Sequence, residues 1–228
     1  TWIREMTPLP GAEQIDLTAA DHNAVNAIVA TLRGRIRPRT INAEMAEMKS
    51  ALAQQEASRY ERGLVTLGRY LGADSAKPKG PARCDAAWEW GTAIWTTIEA
   101  KSEEHDDGLL PVKDIRQANT QLDQLASDRG MDHFPAGSVS VLVSDRLAVD
   151  PRHSQIAHPN VYLTSPDVIA SLASDAAAVW GVLIGTTATG SSESSQRKHV
   201  LQLLTDNGCL PSQVIDRMTV DRIRPGDE

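Results

Sequence analysis

Apolar residues recur at helical spacing through the first third of the chain. Residues 15–34 are predicted to form an amphipathic helix, because Thr18 and Asp21 have capping-box spacing just before its apolar face. Residues 41–71 keep the same period with no strong breaker before Gly72, which leaves one long helix or two helices open. The N-terminal part of the chain is therefore predicted to be helical.

The pattern changes from helical to strand-like after a predicted loop over residues 73–83. Residues 84–90 and 93–101 are rich in Trp, Ile and Thr, and Gly91 joins them as in a β-hairpin. The later elements are predicted helices over 112–130 and 165–185, strands over 138–147 and 160–165, a loop over 186–195 and a final helix from 196. This order predicts an α/β fold in which helices flank a mixed β-sheet.

Composition indicates an ordinary globular protein of 228 residues, 41% hydrophobic and 23% charged. No apolar run approaches the roughly eighteen residues of a membrane span, and no leader pattern opens the chain, so we expect a cytoplasmic protein that does not bind membranes. The first residue is Thr1 rather than Met, which suggests a fragment or a processed chain that lacks neighbouring domains. Cys84 and Cys209 lack metal-ligand spacing and are predicted to be buried thiols.

The formal net charge of -7 argues against a generally basic nucleic-acid binder. Two local stretches are nevertheless basic: residues 33–39, in which arginines alternate, and residues 77–83, which contain Lys77, Lys79 and Arg83. Each stretch could contact a phosphate backbone, and each fits a solvated loop equally well.

Glu99 and Lys101 end the second predicted strand side by side, because strand residues two apart share a face. Asp85 begins the preceding strand of the hairpin and can bring a second carboxylate near Glu99. Two carboxylates at a solvent-facing sheet edge repel each other, and Mg²⁺, which prefers oxygen ligands, relieves that repulsion. The Lys101 ammonium can stabilise charge that develops on a phosphate. The alternative, which the tripeptide alone favours, is an exposed salt bridge.

The middle of the chain, about residues 56–145, resembles the PD-(D/E)xK nuclease superfamily, which includes many restriction endonucleases. The residues that carry the resemblance are Asp85, Glu99 and Lys101 around a hairpin, Glu61 or Glu56 on the preceding helix, and Gln117 on the following helix. The chain departs from the family name because no proline precedes Asp85, although that proline is often absent in the superfamily. The resemblance implies a restriction-endonuclease-like fold over residues 51–228, with residues 1–50 as an N-terminal helical extension.

The resemblance also implies Mg²⁺-dependent hydrolysis of phosphodiester bonds, usually in DNA, with Mn²⁺ as a substitute. The implied metal ligands are Asp85, Glu99, Glu61 and the carbonyl of Ala100, while Lys101 would position the attacking water and Gln117 would orient the substrate or Lys101. We expect the effector module of a restriction or anti-phage defence protein, a homodimer if it cuts both strands, with further domains or partner subunits that choose the target. RNA as substrate stays open, as does a catalytically inactive module for nucleic-acid binding or assembly.

Other candidate residues point less clearly to chemistry. His153 and His158 could form a metal pair, but exposed or capping histidines are the favoured interpretation. Trp88, Trp90 and Trp95 are predicted to fill the core, with a platform for stacked bases as the alternative.

Overall fold

The computed structural model describes residues 16–34, 37–54, 56–101, 108–186 and 192–223. The helices are α1 (Ala19–Arg33), α2 (Pro38–Leu52), α3 (Ala57–Tyr70), α4 (Val112–Asp128), α5 (Pro151–Ser154), α6 (Pro166–Thr186), α7 (Glu193–Asp206) and α8 (Pro211–Met218). The strands are β1 (Asp74–Ala76), β2 (Ala86–Glu89), β3 (Trp95–Lys101), β4 (Val139–Ser144), β5 (Val161–Thr164) and β6 (Asp221–Arg222). Parts of the predictions lie outside the described ranges: residues 1–15 of the extension, 35–36 of the first basic stretch, 55 of the helical stretch, 187–191 of the predicted loop, and 102–107 and 224–228 of the predicted nuclease domain.

The six strands form one mixed sheet in the order β1-β2-β3-β4-β5-β6. Strands β1, β2 and β3 are antiparallel, β3, β4 and β5 are parallel, and β6 is antiparallel to β5. The predicted hairpin is confirmed, with Ala86 opposite Ile98 and Glu89 opposite Trp95. The backbone N–H of Asp85 donates to the carbonyl of Ile98 at 2.9 Å, which holds Asp85 beside the last residues of β3.

The two faces of the sheet bury different sets of side chains, because successive strand residues point to opposite faces. On one face, Ile98 belongs to the large core that α1, α2, α3, α6, α7 and α8 complete. On the other face, Trp95 packs with Leu122 and Leu125 of α4. Trp88, Trp90 and Trp95 are all buried in these clusters, which confirms the core prediction for the tryptophans.

Helices α1 and α2 contribute to the same core as the sheet. Val25 and Ile28 of α1 and Met48 of α2 are buried in one cluster with Ile98 of β3 and Val141 of β4. The described residues of the predicted N-terminal extension therefore cover one face of the sheet.

Of the two alternatives left open for residues 41–71, the structure has two helices, α2 and α3. It differs from the predicted elements in the predicted loop over 73–83, which contains the short strand β1. The helix that begins near residue 196 is not the final element, because α8 and β6 follow it. Pro211 at the first position of α8, followed by buried Val214 and Met218 at helical spacing, was a readable signal for that helix.

Helix α6 overturns the expectation that no apolar segment reaches membrane-span length. It has 21 residues, and its most apolar window has a mean hydropathy of 1.7 with 39% of the window buried. Among the described residues, α6 is the one helix with the length and composition to cross a membrane. Because α6 packs against α2, α3 and α8 as a core helix does, it does not by itself indicate a membrane protein.

Gly68 permits the close approach of α3 to β2, which leads to a prediction for stability. A Cβ atom at Gly68 would clash with the indole ring of Trp88, which is fixed by a 3.0 Å hydrogen bond to the carbonyl of Leu64. We expect Gly68→Ala to lower the free energy of unfolding by about 1–3 kcal/mol in urea denaturation, because the core would be overpacked.

The matched control is Gly181→Ala in α6, where no described atom lies within 4 Å of an added Cβ. This substitution should raise the free energy of unfolding by about 0.5–1 kcal/mol, because alanine favours the helix interior. A Gly68→Ala variant as stable as Gly181→Ala would contradict the close packing of α3 on β2.

Candidate active site

The residues predicted to form the site lie at the end of the strands where β2 begins and β3 ends. Glu99 and Lys101 extend from β3 toward α4, and Asp85 directly precedes β2. Glu61 reaches the same edge from α3, through Lys77. The hairpin register therefore brings together side chains that lie far apart in the sequence.

Glu99 is a buried carboxylate, 6% exposed, with several hydrogen-bond donors around it. Its Oε1 atom accepts hydrogen bonds from Lys101 Nζ at 2.9 Å and Gln117 Nε2 at 2.7 Å. Burial raises the pKa of Glu99, and the nearby charge of Asp85 raises it further, while Lys101 lowers it. The charge of Asp85 therefore acts on Glu99, and the two carboxylates oppose each other's ionisation.

Lys101 is held as a fixed cation at the end of β3. Its Nζ atom lies 2.9 Å from Glu99 Oε1, 3.2 Å from Asp114 Oδ1 and 3.4 Å from Gln117 Oε1. Burial lowers the pKa of Lys101, but the contacts with Glu99 and Asp114 outweigh burial and raise it. At neutral pH the group is therefore an ammonium, suited to stabilise negative charge and unsuited to act as a general base.

Two residues of α4 that were not predicted from the sequence, Asp114 and Gln121, also lie next to Lys101 and Glu99. Both are buried, and Gln121 Nε2 lies 3.4 Å from Glu99 Oε2. Together with Gln117 they occupy one face of α4 at i, i+3 and i+7, a polar stripe between the apolar positions that was a readable signal. Gln121 Oε1 is buried with no hydrogen-bond partner among the described residues.

Asp85 is anchored by the backbone of β3. Its Oδ2 atom accepts a hydrogen bond from the N–H of Ala100 at 2.9 Å. Burial raises the pKa of Asp85, the Ala100 N–H lowers it, and the charge of Glu61 raises it again, with a net increase. Because the N–H and C=O of a strand residue point to the same side, the Ala100 carbonyl also faces the space beside Asp85.

Lys77 lies between the carboxylates of Glu61 and Asp85. Its Nζ atom lies 2.5 Å from Glu61 Oε2 and 3.6 Å from Asp85 Oδ1. Burial lowers the pKa of Lys77, but contacts with Glu61 and Asp85 raise it above its ordinary value. Glu56, the alternative to Glu61, instead lies exposed at the start of α3, where Ser58 donates a hydrogen bond to it.

The residues predicted to bind a phosphate backbone lie in different environments. Lys77 is part of the carboxylate cluster, and Arg83 forms two 2.8 Å hydrogen bonds with Asp128 of α4. Lys79 is exposed in the loop between them. Of this stretch, Lys79 has the surface position expected for contact with a phosphate.

The donor set has the chemistry that Mg²⁺ requires, namely hard oxygen atoms from carboxylates and one backbone carbonyl. Within the described ranges, no group of three or more His, Cys, Asp or Glu residues has the geometry to hold a metal ion. Instead the Lys77 ammonium stands between Glu61 and Asp85, where a cation neutralises them. The residue types therefore suit Mg²⁺, while their described arrangement has the Lys77 ammonium where a cation would lie.

Among the described residues, neither the cysteines nor His153 and His158 form a hydrogen bond or ion pair with this cluster. Cys84 and Cys209 are buried free thiols, as predicted, and burial raises the pKa of each to about 12. His153 lies in the short helix α5, and His158 is exposed in the following turn.

Comparison of the chain with protein-family models, with curated proteins and with solved structures found no match. The resemblance to the PD-(D/E)xK superfamily stays a prediction from the residues and motifs.

Proposed function

We propose that this protein is a Mg²⁺-dependent endonuclease that hydrolyses phosphodiester bonds in DNA. The observation that supports it best is the buried Glu99, which binds Lys101 and whose pKa is raised by burial and by the charge of Asp85, where β3 ends. Perturbed carboxylates next to a fixed cation are typical of catalytic sites. In this proposal the chain is the cytoplasmic effector module of a restriction or anti-phage defence protein, and other domains or subunits select the target.

Each side chain has a defined task in this proposal. When bound, Mg²⁺ would neutralise charge and polarise a phosphate oxygen. The groups that would hold it are the carboxylates of Asp85, Glu99 and Glu61 and the carbonyl of Ala100. The Lys101 ammonium stabilises the negative charge that develops on the phosphorus as water attacks. Gln117 and Asp114 fix the direction of that ammonium.

The direct test is cleavage of a supercoiled plasmid by the purified protein. We expect nicked or linear DNA with Mg²⁺ or Mn²⁺ and intact plasmid with a chelator. A homodimer would yield linear product early, because two sites can cut both strands. Intact DNA under all metal conditions, with intact RNA in a parallel assay, would reject the proposal.

The second candidate function is a catalytically inactive module for nucleic-acid binding or assembly. The observation that favours it is Lys77, which already neutralises Glu61 and Asp85. Calorimetric titration with Mg²⁺ separates the two candidates. A nuclease site should bind the ion with dependence on Asp85, whereas an inactive module need not bind it.

Removing the Lys77 charge should strengthen metal binding. We expect Lys77→Met to increase Mg²⁺ affinity by roughly tenfold, because an ammonium next to two carboxylates opposes a divalent cation. Calorimetry measures the affinity, and the matched control is Lys79→Met, in the same loop but with no carboxylate partner among the described residues. Equal affinity in the Lys77→Met and wild-type proteins would show that Lys77 does not compete with the ion.

A further inference from the structure

A cavity of about 320 Å³ lies next to Lys101, at the carboxyl ends of β3 and β4. In open α/β sheets this end of the strands is the usual place for ligands. Its polar lining includes Tyr60 of α3, Lys101, Asp145 directly after β4, and Asp167 in the first turn of α6. Lys101 belongs to both, but its ammonium points to Asp114 of α4, so the cavity and the candidate active site adjoin at the end of β3 from opposite faces of the sheet.

Tyr60 has a buried hydroxyl group that lacks a partner. The residue is 4% exposed, and its hydroxyl makes no hydrogen bond within the described part of the chain. The hydroxyl can donate a hydrogen bond, and the Asp145 carboxylate, which lines the same cavity, can accept one. An unpaired buried hydroxyl is costly. Because less than 1 Å² of its oxygen is accessible, a ligand acceptor would satisfy it once the cavity wall beside Tyr60 moves.

The lining combines apolar walls with a polar edge that has both a hydrogen-bond donor and hydrogen-bond acceptors. Leu52 and Val143 supply apolar contacts, Tyr60 supplies a donor, and Asp145 and Asp167 supply acceptors. A flat heteroaromatic ring with an amino group beside a ring acceptor matches this edge. Adenine, cytosine and guanine each carry such an amine, and carboxylates are known partners of the cytosine amine, whereas thymine lacks it.

We propose that this cavity binds a nucleobase with an exocyclic amine, unstacked from the substrate strand, and that Tyr60 and Asp145 determine this specificity. The inference rests on the proposed nuclease function and deepens it. A base can enter such a cavity once it has left the stack, so unpaired bases are bound more readily than paired ones.

The test measures binding of labelled single strands by fluorescence anisotropy, with a chelator present to prevent cleavage. The probes are oligo(dT) of roughly 12 nucleotides and the same strand with one central deoxycytidine. The wild-type protein should bind the deoxycytidine strand about tenfold more tightly. Tyr60→Phe and Asp145→Asn should each remove most of this preference, while Asp123→Asn, at an exposed position of α4, should keep it.

Loss of folding does not confuse this result, because Tyr60→Phe deletes no hydrogen bond of the described structure and should unfold at or above the wild-type temperature. Equal binding of both strands by the wild-type protein, or an undiminished preference in both variants, would overturn the inference, even if plasmid cleavage succeeds. If strands do not bind but free deoxycytidine does, in a Tyr60-dependent way, the cavity assignment stands, and plasmid cleavage alone decides the nuclease proposal. If neither binds, the cavity assignment fails.

Discussion

Lys101→Met is expected to reduce the rate of DNA cleavage by roughly 10²- to 10³-fold, the usual effect of removing one group that stabilises transition-state charge. Methionine keeps the length of the side chain and removes the ammonium that lies within 3.2 Å of both Glu99 and Asp114. The measurement is the single-turnover rate of plasmid nicking at saturating Mg²⁺.

The chain supplies its own control for this substitution. Glu47 and Lys49 form a second Glu-x-Lys tripeptide, on helix α2, where Lys49 is exposed. Lys49→Met should cleave DNA at the wild-type rate, because positions two apart on a helix do not share a face. Since Lys101→Met leaves two carboxylates without their cation, rates are compared well below the unfolding temperature of the variant. Equal rates for Lys101→Met and Lys49→Met would remove Lys101 from the mechanism.

Asp85→Asn is expected to abolish Mg²⁺ binding and cleavage, yet to make the metal-free protein more stable at neutral pH. The pKa of Asp85 is raised above its unfolded value by burial, with Glu61 adding to it. Between the two pKa values the folded protein holds a proton that the unfolded chain has lost, so stability falls as pH rises through that window. Asparagine avoids this cost, and its side-chain oxygen can still accept the hydrogen bond from Ala100.

Urea denaturation between about pH 4 and pH 8, with a chelator present, checks the sign of this effect. The free energy of unfolding should fall with rising pH more steeply in the wild-type protein than in Asp85→Asn. Added Mg²⁺ should stabilise the wild-type protein and leave Asp85→Asn unchanged. Asp123→Asn, at an exposed position of α4, should match the wild-type protein in every respect. If the metal-free Asp85→Asn variant is less stable than the wild-type protein at neutral pH, the charged Asp85 carboxylate does not destabilise the fold, and the prediction is wrong.

Local sequence patterns were sufficient to predict the hairpin that positions Asp85, Glu99 and Lys101. The capping box of α1 and the two strands of the hairpin are visible in the sequence, and the hairpin register by itself brings Asp85 beside the end of β3. Strand β1 was not predicted, because three partly exposed residues form a strand through pairing with β2 rather than through their own pattern.

Side-chain partners across the fold could not be predicted in the same way. Arg83 pairs with Asp128, 45 residues away, and Lys77 lies between two carboxylates from different elements. No local pattern encodes such pairs, so a basic loop resembled a surface for phosphate. Helix α6 was misjudged because Ser and Asp residues interrupt its apolar runs, although its average over a longer window is strongly apolar.

The small apolar cluster beneath α4 has a consequence for how this site can be tuned. Cys84, next to Asp85, packs in it with Trp95 of β3 and with Leu122 and Leu125 of α4. The same hydrocarbon contacts thus set the spacing between the strand that carries Glu99 and the helix that aligns the ammonium. In the proposed nuclease, adding or removing a single methylene in this cluster would therefore change catalytic efficiency while every ionisable group stays intact, so activity could be graded rather than abolished.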